Sequence, residues 1–199
     1  MLNNYSDLLP FRQYSEYDVV NMYSLDTTGV GGRFVTFLTG NNSPDLSAGQ
    51  FSAATPGASY AGVTALRYEN SRKVKLSASG DSVGQILGLS LYGTVEYDNN
   101  GQKVLFHPEI QKENAIVVSG QTIPVATAGI FRIRSNAYTN TPFPGYVGVI
   151  SDAGLGKLAF VPPTTLVYES GLAVCKVLST SGSLLGTAGG YADIKLTLG

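Results

Sequence analysis

Ser79–Arg134 reads SGDSVGQILGLSLYGTVEYDNNGQKVLFHPEIQKENAIVVSGQTIPVATAGIFRIR, and the fold is decided there. Leu87, Leu89, Leu91, Val95 and Tyr97, with Gly93 among them, hold the odd positions; Gly88, Ser90, Tyr92, Thr94 and Glu96 hold the even ones. A period of two sends successive side chains to opposite faces, so this run predicts a strand with one buried face. Asp98-Asn99-Asn100-Gly101 breaks it. Asn-Gly tolerates the positive φ of a tight turn, which predicts a hairpin returning through Lys103–Phe106. Ala115–Val118, Ile123–Val125 and Ile130–Ile133 are three further short apolar runs, punctuated by Gly120 and Gly129. The whole segment reads as a β-meander without room for a helix.

The same signals extend outward. Val19–Leu25 and Arg33–Leu38 read as a strand pair joined by the glycine-rich turn Thr27–Gly32. Asn41–Ala61 is a long loop of Asn, Ser, Pro, Gly and Ala, followed by alternating runs at Val63–Glu69 and Arg72–Ala78. Tyr146–Ser151, Lys157–Val161, Leu172–Leu178 and Tyr191–Leu198 complete the series, with the Ser/Gly-rich stretch Ser179–Gly190 before the last. Pro162-Pro163 ends one strand, and Asn136–Gly145 forms a proline-rich loop carrying Tyr138 and Phe143. Glycine occurs 24 times in 199 residues, well above the average of about 7%. The chain is expected to be all-β, a sandwich or partly closed barrel of about a dozen short strands.

Met1–Tyr17 has no clean period, yet it carries Tyr5, Leu8, Leu9, Phe11, Tyr14 and Tyr17 around Pro10. It reads as a first strand folded back on its own domain or as an extended N-terminal arm that reaches a neighbour. The division adopted is an arm over 1–17 and a β domain over 18–199, with room for two small β subdomains.

Charge and chemistry narrow the function classes. Thirteen basic and 14 acidic residues give a net charge of −1, which lacks the basic excess that phosphate neutralisation favours, so no nucleic-acid partner is expected. Charged residues make up only 14% of the chain, against about a quarter in typical soluble domains. No basic leader with an apolar core and no apolar run of roughly 18 residues is visible, so no membrane partner is expected. The single cysteine, Cys175, lies in an alternating run and reads as a small buried residue. Gly29-Val30-Gly31-Gly32 lacks the Lys-Ser/Thr of a phosphate loop. His107 is the only histidine and precedes a proline; one His and one Cys far apart do not make a zinc site. Asp81, Glu96, Asp98, Glu109 and Glu113 all fall at or near turns, where carboxylates are common without catalysis. No enzyme activity, metal or cofactor is expected.

Gly84-Gln85-Ile86-Leu87-Gly88-Leu89, the Asp98–Gly101 turn and Gly120-Gln121-Thr122-Ile123-Pro124-Val125-Ala126-Thr127-Ala128-Gly129 follow one another in a set order. In that order the chain resembles the capsid decoration (cement) proteins that stud the heads of tailed bacteriophages, over roughly Tyr14 to Leu198. The resemblance implies a mainly β, non-enzymatic virion protein on the capsid surface that binds the major capsid protein lattice and holds the shell. It also implies a homo-oligomer, such proteins commonly being trimers. The residues expected at protein interfaces are Tyr5, Leu8, Leu9, Phe11, Arg12, Tyr14, Tyr138 and Phe143, since interfaces favour Tyr, Phe and Arg. The alternative is a carbohydrate-binding β-module of a head or tail fibre adhesin, against which the absence of tryptophan counts.

Overall fold

The structure, a computed structural model, describes residues 5–25, 29–37, 72–79, 81, 83–97, 101–118, 121–151, 155–163, 172–181 and 190–198. In chain order its strands are β1 (Leu8–Gln13), β2 (Val19–Leu25), β3 (Phe34–Phe37), β4 (Arg72–Leu76), β5 (Ile86–Ser90), β6 (Gly93–Thr94), β7 (Ile116–Val117), β8 (Thr122–Ala126), β9 (Ile130–Arg134), β10 (Val147–Ile150), β11 (Leu158–Val161), β12 (Cys175–Thr180) and β13 (Tyr191–Leu196). A short helix, α1 (Pro108–Asn114), precedes β7. The chain is β-dominated, as its alternation and glycine spacing predict. The loop expected over 41–61, the strand expected over 63–69 and the turn residues 98–100 lie outside the described residues, as does most of 179–190.

Two layers share the core. Strands β2, β4, β3, β5 and β8 close into a five-stranded barrel, and β1, β9, β13, β12, β10 and β11 form an antiparallel six-stranded sheet in that order. Tyr23, Leu25, Val35, Val74, Ile123 and Val125 fill the barrel, joined by the partly buried Leu87. Phe34, Ile86, Leu89 and Ala126 come from barrel strands but pack with the sheet's Phe131, Ile133, Phe160, Val177 and Ile194. Strands β3, β5 and β8 are thus apolar on both faces. The run from Leu87 to Tyr97 is correspondingly not one strand with one buried face: Ile86 and Leu89 face the sheet while Leu87 faces the barrel. A bulge in the β3–β5 register breaks the parity, and β5 gives way at Leu91-Tyr92 before β6.

Gly88 is where the barrel shuts. β5 pairs with β8 through Leu89↔Ala126 and Ser90↔Val125. A Cβ on Gly88 would land on the Ala126 carbonyl and on Val125. Only a residue without a side chain lets the two backbones approach this closely.

The topology departs from the simplest sequence reading in three places. β2 and β3 are not a hairpin: β4 lies between them, parallel to β2 and antiparallel to β3. The return after Gly101 is a single Tyr97↔Lys103 bridge, then a 3-10 turn over Val104–Phe106. α1 occupies a segment expected to hold no helix. None of its residues is buried, so no apolar stripe exists for periodicity to detect. Its local signals are Pro108 at the first helical position, Glu109 in the first turn and Lys112 in the last.

The N-terminal segment forms the first of the two alternatives over part of its length. Residues 8–13 are the edge strand β1, paired with β9 through Leu8↔Ile133, Arg12↔Phe131 and Gln13↔Ile130. Leu8 belongs to the large core. Pro10 and a bulge between Leu8 and Arg12 interrupt the strand, as suits an edge. At the opposite edge, Asn140 acts as a short strand. Its amide nitrogen donates to the Phe160 carbonyl at 2.7 Å, and the Phe160 N–H donates to its carbonyl oxygen at 2.6 Å.

Gly88→Ala is expected to cost about 3 kcal/mol in urea unfolding, because backbone rather than a flexible side chain must yield. Gly84→Ala, whose added Cβ meets nothing within 4 Å, is expected to leave the midpoint unchanged.

Candidate functional site

Residues 5–7 enter the structure beside the glycine turn. Asp7 N–H donates to the Gly31 carbonyl at 2.8 Å, and Gly31 N–H donates to the Tyr5 carbonyl at 2.9 Å. Gly32 has φ +87°, and its added Cβ would crowd Leu8. The turn's glycines therefore serve close backbone packing under the N-terminal segment, not a phosphate.

This docking builds a buried ion pair. Arg33 Nη2 lies 2.6 Å from Asp7 Oδ2, with both residues buried. Burial pushes the Asp7 carboxyl above its ordinary range, opposed by Arg33, Arg134 and Lys157. Arg33 also lines a cleft of about 380 Å³, with Tyr5, Gly29, Val30, Leu76, Val95, Leu155 and Lys157. Its walls are aliphatic, and its charged lining groups are Arg33 and Lys157. Among the described residues the lining holds no carboxylate.

The residues expected at an interface scatter over the molecule. Tyr5 lines the cleft, Leu8 is in the core, and Leu9 and Arg12 are half-buried on β1; Phe11 lies on the same strand. Tyr14 stacks on Phe131 of β9, with ring centroids 5.4 Å apart and planes 20° apart. Tyr138 packs against Phe160 of β11, and Phe143, half exposed, against Tyr146. Tyr14 and the Tyr138–Phe143 loop thus border different strands of the sheet rather than one patch. Tyr17, 91% exposed, is the most open large hydrophobic residue among the described residues.

The other residues singled out have local roles. Cys175 is fully buried against Gly148, and desolvation pushes its thiol up to about 12. Asp81 accepts from Ala78 N–H at 2.8 Å and from Lys75 at 3.2 Å. Burial pushes Asp81 up, but these bonds and one from Thr36 outweigh it and hold the carboxyl low. His107, Glu96, Glu109 and Glu113 are exposed. Among the described residues no group of three His, Cys, Asp or Glu side chains is placed to hold a metal ion.

Sequence reasoning missed two features. One is the Asp7–Arg33 pair, since 26 residues separate partners that only the turn's path brings together. The other is a sheet-surface network. Arg132 grips Asp193 through Nε at 2.7 Å and Nη2 at 2.9 Å, and the Ser179 hydroxyl donates to Asp193 at 2.6 Å. The Arg132 guanidinium also lies 4.0 Å from the centre of the Tyr191 ring. Alternation placed Asp193 on the outer face of its strand but held no sign of its partners.

No family model, curated protein or solved structure matches the chain.

Arg33→Met is expected to destabilise the protein by about 3–5 kcal/mol, because it leaves the Asp7 carboxylate buried without its partner; Asp7→Asn removes a charge that burial already disfavours and is expected to cost much less. Adding Asp7→Asn to Arg33→Met should recover much of that loss in the same unfolding measurement. Acid acts differently at Asp193. The hydrogen bond from Arg132, joined by Ser179, holds its carboxyl below 3.8. Its stabilisation is therefore complete above about 3.8 and is lost as pH falls through the lower folded value. Asp7 has the opposite sign: its raised folded value makes the folded state relatively more favourable as pH falls. Asp193→Asn should flatten the acid limb of a pH–stability curve, and Asp7→Asn should not.

Proposed function

We propose that the chain is a non-enzymatic adhesive protein of a tailed-phage particle, a decoration protein bound to the major capsid protein lattice. The observation that carries this reading is the arrangement of the resembling segments. The strand after Gly84-Gln85 is β5, the Ile123-Pro124-Val125-Ala126 stretch is β8, and the two pair directly at the barrel closure. Gly88 of the first segment is the residue whose missing side chain admits Ala126 of the second. These two segments therefore act as one structural unit; the turn residues 98–100 of the third lie outside the described residues.

Composition supports the same reading. A protein that lives against other protein needs little charge, and 14% is low. Tyr17, Phe143 and Tyr14 present aromatic surface of the kind interfaces use. Attachment through a detached N-terminal arm is not part of the proposal, because β1 is integral to the sheet. Tyr14, Tyr17 and Phe143 carry it instead. Oligomerisation on the shell accompanies the proposal through the resemblance.

The test is occupancy. On purified heads the chain is expected at a fixed ratio to the shell protein, measured by quantitative gel or mass spectrometry, and purified chain should rebind heads that lack it. Tyr17→Ser and Phe143→Ser should lower rebinding with little change in melting, since both side chains are exposed. Absence from heads, together with saturable binding on a glycan array, would favour the carbohydrate-binding alternative.

A further inference from the structure

On the solvent side of the six-stranded sheet, the pairing register sets one row of residues side by side. Gln13, Ile130, Lys195 and Lys176 follow one another across the strands, and the register runs on to Val147, which is buried, and Val161. Their chain neighbours Phe131, Ile194 and Cys175 point into the core, which sends this row outward. Two lysines therefore stand directly opposite each other, both exposed, and no carboxylate shares their row. Like charges opposed across a strand pair are destabilising.

Among the described residues the rows towards Arg134 do not neutralise them. Asp193 is held by Arg132 and Ser179, and the following row pairs Arg134 with Tyr191. The Asp7 carboxylate within Coulombic reach of Arg134 is buried with Arg33. Four of the chain's 13 cations thus gather on one sheet face, although the net charge is −1.

We propose that this face docks an acidic protein surface, whose carboxylates would lie between Lys176 and Lys195 and relieve their repulsion. Charge complementarity selects the sign of the partner. Protein is favoured over nucleic acid by the surroundings: the half-buried Ile130 and the exposed Leu178 border the lysines, and Tyr191 lies beneath Arg132. Apolar, Tyr and Arg side chains around a charged centre suit a protein interface. A row of two lysines falls short of the run of phosphate contacts that holds a duplex. The inference goes beyond the shell-binding reading and does not depend on it.

Poly-L-glutamate is the probe, titrated calorimetrically into the intact chain at low salt. Saturable binding is expected, weakened about tenfold by Lys195→Glu or by Lys176→Glu. Lys112→Glu, on the exposed face of α1, is the control and should leave affinity within about twofold. Lys195→Glu should also melt no lower than the parent, because it turns a repulsive cross-strand pair into an attractive one. Binding lost while stability is kept separates a docking role from a structural one. The proposal is overturned by no saturable binding, by an equal loss in Lys112→Glu, by a lower melting temperature in both lysine reversals, or by tighter binding to duplex DNA than to poly-L-glutamate.

Discussion

Strand β5 is caught between two apolar cores, and the rest of the molecule is arranged around that position. Its Leu87 packs into the barrel, while Ile86 and Leu89 pack with the sheet. It cannot rotate without exposing one set or the other. Sliding by one residue would exchange them. Gly88 lies between these side chains and leaves the backbone of β8 close enough to close the barrel. A single five-residue strand thereby fixes the barrel's closure and its attachment to the second layer.

The N-terminal segment adds a polar constraint to this apolar one. Tyr5–Asp7 reach the glycine turn before β1 begins, and the Asp7–Arg33 pair joins the sheet's edge strand to the start of β3 in the barrel. Neither charge has an acceptable place in the interior without the other. The pair works as a register device: β1 can sit at its edge in only one way that also brings Asp7 to Arg33. The result is a segment short on regular pairing yet integral to the fold.

Much of this was legible in the chain. Strands β8, β9, β10, β11 and β13 lie where alternation or short apolar runs placed them, and Ala192, Ile194 and Leu196 share the buried face that their period indicates. What failed did so for physical reasons. Alternation cannot reveal that both faces of β5 are buried, since Gly88 and Ser90 look polar or neutral in a pattern but are buried in space. It cannot reveal a helix without an apolar stripe, as in α1. Nor can it reveal partners, so β4 inserted between β2 and β3 was invisible. The expected interface residues were chosen for apolar bulk in aperiodic sequence, a criterion that Leu8 meets as well as Phe143. One proved to be core and the other surface. Lys176 and Lys195 each looked like an ordinary polar strand position until the register set them opposite each other.

Asn140 bears on how copies of this protein can meet. Its side-chain amide offers Phe160 both a donor and an acceptor, and beside it the Thr139 N–H donates to the Leu158 carbonyl in an isolated parallel bridge, so the edge of β11 is already answered. At the far edge, Pro10 has no N–H to offer and a bulge bends the ladder. The sheet thus ends in two different stoppers, and neither repeats the spacing a newcomer strand would need. Crowded molecules that meet edge to edge find no template for continuing the ladder, and unlimited fibrous growth is disfavoured. They are left to meet through faces and strand ends, where side chains rather than backbone choose the partner. For a chain with so little charge to keep its copies apart, such discrimination is a form of colloidal protection.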